Sequence, residues 1–225
     1  MKKFIIMLVL IIIVSFNSIV LAEDELKLKS DSVIVIDNLT GRVLYQKNAK
    51  KRVSIASLTK VMTSIMLVSN CDIDEKITIP KQATLIGGSE AGVRAGGEVT
   101  AKDLLYSMLL PSGNDAAYTV GFHIGNGNIK NFAYLMTKKA HEIGAYDTSF
   151  ANPHGLDNEN HYSTAYDVAQ ITRYALKNKY INTAVNTRQQ TVNIGGASKT
   201  LNNTNRLLKT YTYADGVKTG FTNRC

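Results

Sequence analysis

The sequence predicts an α/β domain in the α+β sense, an antiparallel sheet flanked by helices. Three observations carry this: β-type apolar runs near the start, a series of amphipathic helical repeats through the middle, and extended segments with glycine turns at the end. Strands at both ends with helices between them argue against a doubly wound parallel sheet. With 225 residues and an ordinary globular composition, the chain suits a single core.

The first 22 residues stand apart. Lys2 and Lys3 precede an apolar run from Phe4 to Val14, and the segment closes on Val20-Leu21-Ala22, the layout of a secretory signal peptide cut after Ala22. Ser15, Asn17 and Ser18 interrupt the run, which leaves it short of the ~20 residues of a spanning helix. Membrane association is therefore expected only through an uncleaved signal segment, and the mature domain, 23–225, is expected outside the cytoplasmic membrane.

Val33-Ile34-Val35-Ile36, the turn formers Asn38-Leu39-Thr40-Gly41, and Val43-Leu44-Tyr45 read as strand, turn and strand. From Ser57 the pattern becomes helical. Leu58, Val61, Met62, Ile65, Met66 and Val68 cover most of the circumference, so this helix belongs in the middle of the domain.

Gly87 to Gly97 reads as a mobile loop, since no strand-loop-helix unit surrounds it to make a phosphate cradle. Thr100 and Asp103 form a capping pattern, and the helix they start ends before Pro111. Ile129, Phe132, Ala133, Met136, Ala140 and Ile143 keep helical spacing up to Gly144, and a Thr164-x-x-Asp167 cap opens another helix. Gly195-Gly196 joins a hairpin, and Asp215 to Thr222 reads as a last strand.

The formal charge of +8 fits a lysine-rich solvated surface or attraction to an anionic cell wall. No concentrated basic stretch interleaved with aromatics points to nucleic acid. Cys71 and Cys225 are too few and too far apart in sequence to define a disulfide framework, and His123, His141, His154 and His161 lack zinc-helix spacing. No metal and no cofactor is expected.

Chemistry concentrates in three short motifs: Ser57-Leu58-Thr59-Lys60, Ser112-Gly113-Asn114 and Lys218-Thr219-Gly220. A serine hydroxyl needs a base within reach, and three positions along a helix place Lys60 on the same face as Ser57. To accept a proton Lys60 must spend time neutral, which means moving its pKa from about 10.4 towards 7, roughly 4 kcal/mol. Burial and a second cation, for which Lys218 is the candidate, both push that way. Each motif alone has a plain structural explanation: an N-cap serine with an exposed lysine, a capping Ser112, a turn-filling Asn114. Their conjunction is far more specific.

With these surroundings (Ala56 to Thr63, Leu109 to Ala117, Gly216 to Thr222) the chain resembles the serine-type D-alanyl-D-alanine carboxypeptidases, low-molecular-mass penicillin-binding proteins of peptidase family S11. The resemblance runs from about Ser30 to Asn223 and implies a β-lactamase/transpeptidase-like fold. It implies removal of the terminal D-alanine from peptidoglycan pentapeptides through an acyl-enzyme on Ser57, with β-lactams as inhibitors. It further implies Lys60 as base, Ser112 as proton relay, Asn114 on the substrate amide, Lys218 and Thr219 on the terminal carboxylate, and the N–H groups of Ser57 and Phe221 as oxyanion hole. His154 falls in the family's loop near the site, with a supporting or structural role.

The family continues past its Lys-Thr-Gly strand with two more sheet strands and a terminal helix. The chain is accordingly expected to be C-terminally truncated, with 215–222 short of a pairing neighbour. The competing readings are an inactive remnant, a penicillin-binding module without turnover, and a β-lactamase. The last is disfavoured because no Glu-x-x-Leu-Asn loop occurs between Asn152 and Asp167.

Overall fold

The computed structural model describes residues 27–221. The chain divides between Asp31 and Ser32, and every motif residue lies in the second unit. The signal segment 1–22, Thr222 and Cys225 fall outside the described residues.

Strands β1 (Val33–Ile36) and β2 (Val43–Lys47) form an antiparallel pair whose turn is closed by Asp37. Its carboxylate accepts the Thr40 N–H at 2.7 Å, an Asx turn that reverses the chain before Gly41 at φ +77°. The strands β3 (Lys76–Thr78) and β4 (Glu98–Thr100) form a second antiparallel pair, and β5 (Gln189–Ile194) with β6 (Ala197–Asn202) a third, turning on Gly195-Gly196 as its sequence predicts.

Helix α1 (Thr59–Asn70) is the central element. Nine consecutive residues, Thr59 to Leu67, are buried, so no face of its first turns meets solvent. Around it pack α2 (Ala101–Leu109), α3 (Asn114–Ile124), α4 (Ile129–Ile143), α5 (Ala165–Ala175) and α6 (Lys179–Asn186). A short α7 (Leu207–Thr210) follows the hairpin.

The helix ends obey local rules. Thr100 Oγ1 accepts the Asp103 N–H at 3.0 Å, Thr164 Oγ1 accepts that of Asp167 at 3.0 Å, and Gly144 ends α4 in the left-handed region at φ +95°. Among the described residues no helix is long and apolar enough to cross a membrane.

One expectation is corrected. Residues 215–221 form no strand, and no ladder partner lies beside them among the described residues. A strand needs a neighbour for its N–H and C=O groups. Here side chains serve instead: Asn205 Nδ2 donates to the Gly216 carbonyl at 2.9 Å, and the Thr204 and Thr219 hydroxyls pair at 3.0 Å.

Candidate active site

The chain enters α1 through a 3-10 turn, Ala56–Leu58, with Ala56 at φ +45°. A β-carbon resists that conformation, so the surroundings must hold it. Gly155, at φ +90°, lies so close that a β-carbon there would sit 1.9 Å from the Ala56 carbonyl oxygen. The same oxygen accepts the Thr59 hydroxyl at 2.7 Å, and Thr59 Oγ1 in turn meets His161 Nε2 at 2.7 Å. Since His161 Nδ1 accepts the Ala151 N–H at 3.2 Å, its proton resides on Nε2 and is donated to Thr59. Burial above all pushes the His161 imidazole down to about 4, so it is neutral. This chain of contacts fixes the turn that presents Ser57.

Lys60 is fully buried. Its Nζ lies 2.9 Å from Ser57 Oγ, 2.8 Å from Asn114 Oδ1 and 2.7 Å from the His154 carbonyl oxygen. Asn114 Nδ2 donates to the Gly87 carbonyl at 2.9 Å, which fixes the amide with its oxygen towards the lysine. Two of the three partners are therefore pure acceptors and claim two N–H bonds. In its neutral form the amine has two N–H bonds and one lone pair, and with both N–H bonds taken by these acceptors the lone pair would be left for Ser57 Oγ. Burial first, then the charge of Lys218, hold Lys60 well below the ordinary lysine range, while Asp115 pulls the other way. Burial, and then Lys60, push the His154 ring down to about 3; its Nδ1 accepts the Leu156 N–H at 3.3 Å.

Ser112 follows Pro111 in a left-handed conformation, φ +67°. Its hydroxyl is buried and has no hydrogen-bond partner among the described residues, so the expected relay is not closed by protein groups alone. Next to it, Asp115 was not singled out by sequence. Its buried carboxylate accepts N–H groups of Ala91 at 2.9 Å, Gly92 at 2.7 Å and Val93 at 3.0 Å, and its own Ala116 N–H at 2.8 Å. The Asn114 N–H reaches Ser89 O at 2.7 Å. The segment 87–97, expected to be mobile, is thus tied to the start of α3.

Gly220 lies against the nucleophile turn, where a β-carbon would meet the Ile55 oxygen at 3.3 Å and the Ala56 Cβ at 3.4 Å. This brings Lys218-Thr219 to the site. Lys218 is half-buried, its Nζ donating to the Thr219 carbonyl at 2.9 Å, and burial pushes it down to about 8. The Phe221 side chain is exposed. A cavity of about 600 Å³, walled by Ile34, Ile36, Val168 and Leu176, opens between β1 and α5 and reaches the nucleophile turn at Ile55 and Leu58 and the C-terminal segment at Asp215 and Gly220. None of the catalytic candidates lines it.

A hydroxyl 2.9 Å from a buried amine, with a second amine close enough to lower it, is the arrangement of a serine–lysine acyl-transfer site. The chain belongs to the peptidase S11 family, D-alanyl-D-alanine carboxypeptidase, whose sequence model matches residues 19–225. It is 38% identical over 204 residues to the D-alanyl-D-alanine carboxypeptidase DacF of Bacillus subtilis, covering 88% of this chain and 52% of the relative. A D-alanyl-D-alanine carboxypeptidase of Streptomyces sp. K15 is 37% identical over 202 residues, 82% of this chain and 69% of the relative. The crystal structure of the Streptomyces K15 DD-transpeptidase superposes with a TM-score of 0.81 at 34% identity, covering 88% of this chain and 83% of that one. The chain spans about half the length of the Bacillus relative.

Proposed function

We propose that the chain is a penicillin-binding serine D-Ala-D-Ala carboxypeptidase that removes the terminal D-alanine of peptidoglycan pentapeptides outside the cytoplasmic membrane. The observation that carries this reading is the buried Lys60 Nζ, 2.9 Å from Ser57 Oγ and held there by the two acceptors Asn114 Oδ1 and the His154 carbonyl oxygen.

Lys60 takes the Ser57 proton as Oγ attacks the carbonyl carbon of the penultimate D-alanine. The N–H groups of Ser57 and Phe221 receive the oxyanion, a contribution of about 3 kcal/mol per donor in such sites. The proton then passes from Lys60 through the Ser112 hydroxyl to the leaving amine, and D-alanine departs from a Ser57 ester. Water, deprotonated by Lys60, cleaves the ester, and Lys60 returns that proton to the departing Ser57 Oγ. Lys218 and Thr219 hold the terminal carboxylate, and the Asn114 amide orients the peptide. Ser112, whose hydroxyl has no hydrogen-bond partner among the described residues, is suited to a bond that forms only with substrate present. Action outside the membrane follows from the secretory pattern of 1–22 and from where the pentapeptide is found.

The test is twofold. Fluorescent penicillin should label the chain at Ser57 and leave Ser57→Ala unlabelled, and an N-acyl-L-Lys-D-Ala-D-Ala peptide should yield free D-alanine. Labelling without D-alanine release would make it a penicillin-binding module instead, and absence of both would make it a remnant. Rapid multiple turnover of penicillin would favour a β-lactamase.

A further inference from the structure

Helices α1 and α3 both begin at the candidate active site, where Lys60 and Asn114 are bonded to each other. At ~1.5 Å per residue, Cys71 lies about 16 Å along α1 from Lys60, and His123 about 14 Å along α3 from Asn114. Cys71 caps α1, His123 stands in the last turn of α3, and Glu75 precedes β3. The Cys71 Sγ, a Glu75 carboxylate oxygen and a His123 ring nitrogen all lie within 4.8 Å of one another. Sequence spacing predicts no such cluster, because its third member arrives from a helix 48 residues downstream of Glu75.

We infer that Cys71, Glu75 and His123 form a binding site for a thiophilic divalent cation of the Zn²⁺ class, clamping the far ends of α1 and α3.

The backbone under each ligand is already held. Cys71 N–H donates to Leu67 O at 3.0 Å, Glu75 N–H to Asp72 O at 3.1 Å, and Glu75 O accepts the Ala101 N–H at 2.9 Å. His123 O accepts the Asn126 N–H at 3.2 Å. His123 Nε2 is 3.0 Å from Glu75 Oε1, close to the spacing of two ligands each ~2.0–2.1 Å from a tetrahedral zinc, so side-chain rotations of modest size suffice. One sulfur, one imidazole nitrogen and one carboxylate oxygen suit zinc, with water as fourth ligand. The sulfur selects against Mg²⁺ and Ca²⁺, which take oxygen ligands. Burial and then the Glu75 carboxylate push the Cys71 thiol up to about 11, so binding exchanges its proton for the ion and releases that proton to solvent.

The experiment adds Co²⁺ and, separately, Zn²⁺ to the purified chain under a non-chelating reductant. Equimolar Co²⁺ should give a near-ultraviolet thiolate-to-cobalt charge-transfer band, and Zn²⁺ should raise the thermal midpoint, as any ligand of the folded state alone does. Cys71→Ser should abolish the band. Cys71→Ser and His123→Gln should each weaken Zn²⁺ binding by about 100-fold, at the upper end of effects seen when a zinc shell is disturbed. The urea midpoint without added metal should stay near wild type in both variants. No band in wild type, or Zn²⁺ stabilisation that survives both variants, overturns the proposal.

Discussion

Lys60 and Lys218 divide one problem between them: one amine must be neutral to act as base, the other charged to hold a carboxylate. Burial lowers both, but Lys60 is the more deeply enclosed and also feels Lys218, so it gives up its proton first. The rate of acylation should therefore rise with pH as Lys60 deprotonates and fall again above about 8 as Lys218 loses its charge. Lys218→Arg keeps the cation, and a guanidinium does not titrate below about 12, so the basic limb should disappear from the measurable range. Lys218→Gln removes a cation that lowers Lys60, so Lys60 rises and the acid limb of penicillin acylation should move to higher pH. Stopped-flow labelling from pH 5 to 10 reads both. An acid limb that stays in place in Lys218→Gln would mean that the two amines do not interact.

Caps, glycine stops and the hairpin at Gly195-Gly196 depend on residues within a few positions of one another, and they were readable for that reason. The Ser57–Lys60 pair is readable on the same ground, being one helical turn apart. What holds the pair is not: Thr59 meets His161 across 102 positions, and Asp115 reaches back to Ala91, Gly92 and Val93. Residues 215–221 carry a strand-like pattern, yet strand formation depends on a neighbour that their own sequence cannot specify. The turn before α1 offers a direct test of this long-range support. Gly155→Ala places a β-carbon against the Ala56 oxygen at φ +90°, whereas at Gly196, φ +81°, nothing among the described residues lies within 4 Å. Gly196→Ala should cost about 1 kcal/mol from its backbone conformation alone. Gly155→Ala should cost at least about 3 kcal/mol, as a clash with fixed backbone adds to the same strain, and should slow labelling of Ser57. Urea unfolding of the two variants separates these outcomes, and equal losses would show that the Gly155–Ala56 contact is not a constraint.

At the scale of the domain formed from Ser32 onward, the site makes the fold sensitive to acid. His154 and His161 are both buried, with pKa values near 3 and near 4 against an ordinary 6.5. Below pH 6.5 the unfolded chain takes up these two protons and the folded one does not, so the unfolded state binds more protons and stability falls as pH falls. The loss begins near pH 6.5, is steepest between about 6 and 4, and ends once the folded rings protonate. With two protons involved the slope approaches about 2.7 kcal/mol per pH unit. Lys60 and Lys218 are lowered as well, so they add the same sign at the alkaline end, where stability should keep rising towards pH 10.5. Across two units of acidification the histidine contribution reaches about 5 kcal/mol, comparable with the whole stability of an ordinary domain. The urea midpoint should therefore drop steeply between pH 6 and 4, and the chain should unfold in acid before most of its carboxylates protonate. His161→Gln keeps an N–H donor for Thr59 without a titrating ring and should roughly halve that slope. A midpoint that stays level from pH 6.5 to 4.5 would show that the histidines are charged in the folded state, and the neutral ring that donates to Thr59 beneath the nucleophile turn would go with it.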